Sequence, residues 1–202
     1  MFGSAPKLSP STGMVPEMAP MRTAAQAHTS SKAASFSVTE ALRDGRPVEI
    51  RALRPTDLED LKAAVANTSA ESLSRRFFGP KRYFSEQEIA YFVNIDFVTQ
   101  VALVAVVDEG GRRSIVAGGR YVLVQPGVAE VAFVVVDAYH RQGIGSRLMG
   151  HLVSIGREAG LRELVAEVLP HNQPMLSVFQ NCGLKVATRR DRGAVHVTMQ
   201  LT

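Results

Sequence analysis

The chain has 202 residues, a length typical of one domain, and an apolar content of 46%, which is ordinary for a soluble globule. Its net charge of +4 is too small and too scattered for a surface that binds nucleic acid. No apolar run approaches the roughly 20 residues that a membrane helix needs. The 5 histidines are not spaced as metal ligands. The single cysteine, Cys182, excludes an internal disulfide framework and fits a reducing, cytoplasmic compartment.

The first 35 residues differ in composition from the rest of the chain. They are rich in Ser, Thr, Ala, Pro and Met and show no apolar periodicity, so they can bury too little surface to offset the entropy lost on ordering. We therefore predict a disordered tail over residues 1–35 and one folded domain over residues 36–202.

The domain is predicted to begin with a hairpin and three helices. The hairpin strands cover residues 37–42 and 47–53. Apolar residues then recur at helical spacing in three segments, and polar residues at capping-box spacing mark two of the helix starts. The first helix is expected from residue 55, with Thr56 and Glu59 as its capping pair. The second is expected over residues 71–78. The third is expected from Ser85, with Glu88 as its capping partner.

The second part of the domain reads mostly as strands. Strands are predicted over residues 101–107, 115–124, 130–136, 164–168, 184–188 and 194–201, and helices over residues 143–159 and 172–181. This order of elements predicts a mixed α/β (α+β) fold, with a mostly antiparallel sheet of about seven strands and helices on both faces. A doubly wound parallel fold does not fit it.

A glycine-containing loop between the strand at 130–136 and the following helix is the most informative segment. Backbone N–H groups in the first turn of a helix have no intrahelical partner, and the helix dipole makes them an anion site suited to a diphosphate. Gly143 and Gly145 would let phosphate oxygens approach the backbone closely. The predicted binding residues are Arg141, Gln142, Gly143, Ile144, Gly145 and Ser146.

Two other glycine-loop motifs do not fit these residues. A Rossmann fingerprint needs a third glycine where Leu148 stands, and a P-loop needs a Gly-Lys-Ser/Thr sequence that this chain lacks. The loop alone also allows a second interpretation, in which it is an ordinary helix start and the glycines serve only for packing.

Two motifs resemble those of the GNAT N-acetyltransferases. Residues 140–145 (His-Arg-Gln-Gly-Ile-Gly) resemble the family's phosphate loop, Gln/Arg-x-x-Gly-x-Gly/Ala, although the family prefers Gln or Arg where His140 stands. Asn172-Gln-Pro-Met, followed by Gly183-Leu184, resembles its second motif. The resemblance implies a GNAT fold in which acetyl-CoA, used as co-substrate without a metal, lies in a gap between the fourth and fifth strands and donates its acetyl group to an amine.

A narrower resemblance concerns the acceptor. Residues 43–55, 71–79, 129–133 and 137–139 are similar to the bacterial protein lysine acetyltransferases called Pat. That similarity implies a protein acceptor, such as a lysine of an AMP-forming acyl-CoA synthetase. A small-amine acetyltransferase and a non-catalytic acyl-CoA sensor remain alternatives.

Glu130 is the candidate catalytic residue. It is the one charge at the head of the apolar run 131–136, where partial burial would make its carboxylate more basic, and the resemblance implies that it is the general base. The alternative is a strand-end glutamate that is solvated or paired with an arginine. The arginines at 75, 76, 189, 190 and 192 are expected on a solvated surface, and the alternative is a docking site for an acidic partner or for the adenosine phosphate.

The resemblance also assigns the residues around the CoA arm. It implies that backbone groups of Val134, Val135 and Val136 bind the pantetheine arm, that an N–H near Val134 stabilises the developing oxyanion, and that the Asn172 amide contacts the same arm. The alternative for Asn172 is a helix N-cap. Phe179 stands where the family often has a tyrosine that acts as general acid.

Overall fold

Eight strands form one sheet in the order β1-β2-β3-β4-β5-β6-β8-β7, in a computed structural model that describes residues 32–78 and 84–201. Every neighbouring pair is antiparallel except β5 and β6. The strands are β1 (Ser37–Ala41), β2 (Pro47–Ala52), β3 (Gln100–Glu109), β4 (Arg112–Gln125), β5 (Val128–Val135), β6 (Glu163–Val168), β7 (Lys185–Asp191) and β8 (Ala194–Gln200).

Helices cover both faces of this sheet. On β3, alternate residues Val101, Leu103 and Ala105 pack in the large core, whereas Ala102 and Val104 pack in a second, smaller cluster. The large core also holds the buried side of α4, and the small one contacts the end of α1, so the helices lie on opposite faces. The helices are α1 (Leu58–Ala66), α2 (Ala70–Phe77), α3 (Glu86–Val93), α4 (Ile144–Glu158) and α5 (Gln173–Gln180). None of those in the described residues is long and apolar enough to span a bilayer.

All eight strands that were predicted singly lie in one sheet, including both strands of the first hairpin, so the sheet has one strand more than the predicted total of about seven. β1 pairs with β2 along its whole length, from Ser37 opposite Arg51 to Ala41 opposite Pro47. Packed structure also starts a little before residue 36, since residues 32–34 form a helical turn in which Ala33 is only 4% exposed. The remainder of the predicted tail, residues 1–31, lies outside the described residues.

The predicted helix signals give two different outcomes. The capping box at Ser85 is confirmed, because its hydroxyl accepts from the Glu88 N–H at 3.2 Å and the Glu88 carboxylate accepts from the Ser85 N–H at 2.9 Å. The box at Thr56 and Glu59 is wrong. α1 begins only at Leu58, after a 3₁₀ turn (Pro55–Asp57), because Asp57 is drawn inward to the Arg51 guanidinium.

The sheet opens between β5 and β6. These two strands pair over only three positions, ending at Glu130 opposite Val165. Beyond that point β5 stays paired with β4, through Val135 opposite Ala117, and β6 stays paired with β8, through Val168 opposite Val195. The two halves of the sheet therefore diverge towards the start of α4. The gap was predicted between the fourth and fifth strands. In the structure it lies between β5 and β6, because the N-terminal hairpin adds one strand before it.

Candidate active site

A cavity of about 1690 Å³ occupies this gap. Pockets for small ligands are usually about 300–1000 Å³, so this one has room for a long ligand together with a second reactant. Most of the predicted site residues line it, namely Glu130, Val134, Val135, Arg141, Gly143, Ile144, Gly145, Ser146 and Asn172. Gln142 and Val136 are not among its lining residues.

The glycine loop presents a set of unused donors. Within the described residues, the backbone N–H groups of residues 141–146 meet no acceptor, because the first bond of α4 runs from Arg147 N to Gly143 O. Gly143 is in the left-handed region at φ +83°, which disfavours any side chain there. A Cβ atom at Gly145 would lie 3.4 Å from Val178 Cγ2, so this glycine also allows α5 to approach closely. Such free donors at the positive end of a helix dipole fit the diphosphate of CoA.

The N-terminal hairpin packs against this loop, which the sequence did not indicate. Glu40 on β1 forms an ion pair with Arg147, with Oε2 2.9 Å from Nε, and lies 2.5 Å from His151 Nε2, so β1 is held on the first turns of α4. From the following turn, Arg43 Nη1 donates to the Arg141 carbonyl at 3.1 Å. These contacts join residues about 100 positions apart, so no local sequence signal could have shown them.

Asp137 connects the end of β5 to α2. Its carboxylate accepts from the Ser69 N–H at 2.7 Å and from the hydroxyls of Ser69 and Ser72 at 2.8 Å each. Burial alone would raise the pKa of Asp137, but these hydrogen bonds hold the pKa below its ordinary value. The contact fixes α2, which carries Arg75 and Arg76, relative to the phosphate loop.

Glu130 lies at the closed end of the gap, where β5 and β6 are still paired. The expected partial burial is wrong, because its side chain is exposed. Its neighbours Ala129 and Val131 point into the α4 core, at 0% and 2% exposure, so strand alternation turns Glu130 to the opposite face of the sheet. The cavity runs from this carboxylate to the glycine loop.

Arg76 also lines the cavity and is half-buried, so it is less exposed than the expected solvated surface implies. Burial lowers the pKa of its guanidinium to about 10, against the opposing attraction of Glu130. The group stacks on the Phe77 ring, with Cζ 4.9 Å from the ring centroid. The placement of this side chain at the cavity depends on how α2 packs, which no pattern in the sequence indicates.

The residues expected along the CoA arm differ in availability. Val136 N–H donates to Val116 O at 2.9 Å, so this amide is not free for a ligand and that expectation is corrected. The carbonyl oxygen of Val135 lies 3.0 Å from His140 Nε2, so it already has a hydrogen-bonding partner. Asn172 is the N-cap of α5, with Oδ1 accepting from Met175 N at 3.3 Å, and within the described residues its Nδ2 group meets no acceptor.

The cavity wall offers no free tyrosine hydroxyl in the part of the chain that the structure describes. Phe179 is 1% exposed and packs on Phe133 with ring centroids 6.0 Å apart. Tyr139 also lines the cavity, but its hydroxyl donates to Glu109, and burial together with this carboxylate raises the pKa of Tyr139. Among the described residues no three His, Cys, Asp or Glu side chains are grouped to hold a metal.

Residues 68–184 match the model of the Acetyltransferase (GNAT) family. The chain belongs to this family. The GNAT fold seen here is therefore that of an N-acetyltransferase, and acetyl-CoA is the family's acyl donor.

Two curated relatives of this GNAT chain are both 31% identical to it. One is "Acetyltransferase PA5475" of Pseudomonas aeruginosa, matched over 153 residues that cover 75% of this chain and 81% of the relative. The other is "Acetyltransferase Pat" of Mycolicibacterium smegmatis, matched over 156 residues that cover 76% of this chain. The match covers 46% of that Pat protein, so the chain spans about half of its length.

Solved GNAT structures agree with the fold. The GNAT domain of S. lividans PAT superposes with a TM-score of 0.74 at 33% identity, covering 81% of this chain and 96% of that domain. The yncA protein of Salmonella typhimurium, solved with acetyl-CoA, gives a TM-score of 0.56 at 18% identity, over 76% of this chain and 92% of that protein. At that identity the second likeness concerns the fold alone.

Proposed function

We propose that this GNAT enzyme transfers the acetyl group of acetyl-CoA to lysine side chains of proteins such as AMP-forming acyl-CoA synthetases, with Glu130 as general base. The observation that carries the proposal is one continuous cavity with free backbone donors of residues 141–146 at one end and the Glu130 carboxylate at the other. The first end suits the diphosphate of CoA, and the second suits an incoming ammonium group.

The residues divide the chemistry between them. A lysine ammonium has an ordinary pKa near 10.4, so near neutral pH it must lose a proton before its nitrogen can attack the thioester carbon. Glu130 accepts that proton and, being exposed, passes it to solvent. The new C–N bond then replaces the C–S bond, and the departing CoA thiolate takes its proton from water, since neither Phe179 nor Tyr139 offers a free hydroxyl.

The charges at the acceptor end support a protein acceptor over a polyamine. A polyamine carries several cations and requires an acidic pocket, but in this part of the cavity wall the Arg76 guanidinium lies close enough to Glu130 for their charges to interact. The exposed position of Glu130 also suits an acceptor that presents its lysine from a large surface. The two relatives named Pat support the same assignment.

The test is thiol release from acetyl-CoA by the purified protein, with an AMP-forming acetyl-CoA synthetase and, in parallel, small amines as acceptors. We expect release that depends on the synthetase and that falls at least about 100-fold in Glu130→Gln, the usual scale of a lost general base. The affinity for acetyl-CoA is expected to change by less than about twofold, because Glu130 is remote from the phosphate donors. Glu163→Gln, on β6 and outside the cavity lining, is the matched control.

Each outcome has a distinct meaning. Equal rates in the unmodified protein and Glu130→Gln would contradict the role of Glu130 as base. Release with a small amine but with no protein would contradict the acceptor class and leave the acetyltransferase assignment intact. Acetyl-CoA binding without thiol release from any acceptor would favour a non-catalytic acyl-CoA sensor.

A further inference from the structure

The turn between β1 and β2 brings Arg43 onto the glycine loop. Arg43 N–H donates to Gln142 O at 3.4 Å, and its Nη1 donates to Arg141 O at 3.1 Å. Its Nε lies 3.8 Å from the point that a Cβ atom of Gly143 would occupy. The guanidinium is therefore beside the free backbone donors of the loop, and Arg43 is one of the residues that line the cavity.

Among the residues that the structure describes, no carboxylate neutralises Arg43, in contrast to Arg46 and Arg147. Arg46, in the same turn, pairs with Asp44 at 2.8 Å and with Glu109 at 3.2 Å. Arg147, in the first turn of α4, pairs with Glu40 at 2.9 Å. Within the described residues, Arg43 has no carboxylate partner and uses one of its five N–H donors on a backbone carbonyl.

The hairpin that carries Arg43 is held in place independently of that residue. Glu40 joins β1 to Arg147 and His151 of α4, and Arg147 Nη2 donates to Ala41 O at 2.5 Å. Arg43 therefore starts from a fixed backbone position, and less conformational entropy is lost when its side chain binds a ligand.

We propose that Arg43 binds the diphosphate of CoA, so that the N-terminal hairpin completes the binding site formed by the glycine loop. The inference rests on the proposed use of acetyl-CoA and goes beyond it, because Arg43 lies outside the family's loop motif. The planar guanidinium forms paired, charge-assisted hydrogen bonds with phosphate oxygens, and these are stronger than bonds between neutral groups. The adjacent N–H groups of residues 141–146 would bind the same diphosphate.

The test is calorimetric binding of CoA, 3′-dephospho-CoA and pantetheine to the unmodified protein and to Arg43→Gln. Loss of one charge-assisted contact is expected to raise the Kd for CoA about tenfold. The same rise is expected for 3′-dephospho-CoA, which keeps the diphosphate, and none for pantetheine, which has no phosphate. Arg46→Gln is the matched control in the same turn, and its Kd values are expected to stay within about twofold of the unmodified protein.

The other results would contradict the inference. An equal rise for pantetheine would mean that Arg43 only shapes the site, and a rise confined to CoA would place it on the 3′-phosphate instead. An unchanged Kd for CoA in Arg43→Gln would exclude any contact. If the unmodified protein binds no CoA at all, the proposed function itself fails, which is a different result from the failure of Arg43 alone.

Discussion

Two consecutive glycines on β4, Gly118 and Gly119, face opposite sides of the sheet and have different surroundings. A Cβ atom at Gly119 would lie 2.7 Å from the ring of Phe133 and 3.3 Å from Leu152 Cδ1. At Gly118 the nearest atom would be 3.8 Å away. Gly119 thus leaves the space in which the Phe133 ring lies, and that ring forms part of the cavity wall.

We predict that Gly119→Ala and Gly118→Ala differ in stability. The first must displace a buried ring and is expected to lower the free energy of unfolding by about 1–3 kcal/mol. The second has room for its methyl group and replaces a flexible residue in a strand, so its change is expected to stay within about 1 kcal/mol. Urea denaturation of both variants measures this, and equal losses would contradict the account.

What the sequence predicts at the scale of single residues depends on how local the signal is. The phosphate loop could be found because its glycines and its helix start are adjacent in the chain. The exposure of the Glu130 side chain could not be predicted, because it depends on which face of β5 the helices cover. Arg43 and Asp137 were missed as site residues since their partners lie 98 and 65–68 positions away.

At the scale of elements, a buried ion pair joins β2 to the start of α1. Arg51 and Asp57 form two hydrogen bonds of 2.7 Å each, with side chains only 7% and 6% exposed. Asp57 also accepts from the Arg54 N–H at 2.7 Å. This pair is the reason that α1 starts at Leu58 rather than at the predicted capping box.

We predict that Asp57→Asn lowers the free energy of unfolding by about 3–5 kcal/mol, because it leaves the Arg51 charge buried without its counter-ion. Glu59→Gln, which removes the exposed ion pair with Lys62, is the control and is expected to cost less than about 1 kcal/mol. Chemical denaturation at neutral pH compares them. Similar losses in the two variants would mean that the buried pair contributes little.

Acid should weaken the same contact in the unmodified protein. Burial would raise the pKa of Asp57, but the bonds from Arg51 and Arg54 dominate and lower it from the ordinary 3.8. A lowered pKa in the folded state means that this stabilisation is complete above about pH 4 and is lost as the pH falls through the folded-state value. Unfolding free energies measured from pH 5 to pH 2 should therefore fall less steeply in Asp57→Asn. Parallel slopes would contradict this.

At the scale of the whole molecule, the site exists because the sheet consists of two sets of strands that are joined over only a short stretch. β1–β5 and β6–β8 meet over three residue pairs, and the cavity follows from their divergence. The order of elements and the two motifs were enough to predict this GNAT fold and the gap. Each of the eight strands was predicted singly, but their order in the sheet was not, because β6 pairs with β8 and not with β7, which follows it in the sequence.

The most direct test of the account is calorimetric binding of acetyl-CoA to Gly143→Ala and Gly160→Ala. Both glycines have left-handed backbones, at φ +83° and +78°, so backbone strain should lower the free energy of unfolding of each variant by about 1 kcal/mol or slightly more. Only Gly143 lies in the phosphate loop, where a residue that disfavours the left-handed backbone would turn the backbone donors away from the diphosphate, and where a Cβ atom would also displace the Arg147 guanidinium. We predict a Kd at least about tenfold higher in Gly143→Ala, with Gly160→Ala within about twofold of the unmodified protein. Equal affinities in the two variants, or no binding by the unmodified protein, would contradict the account.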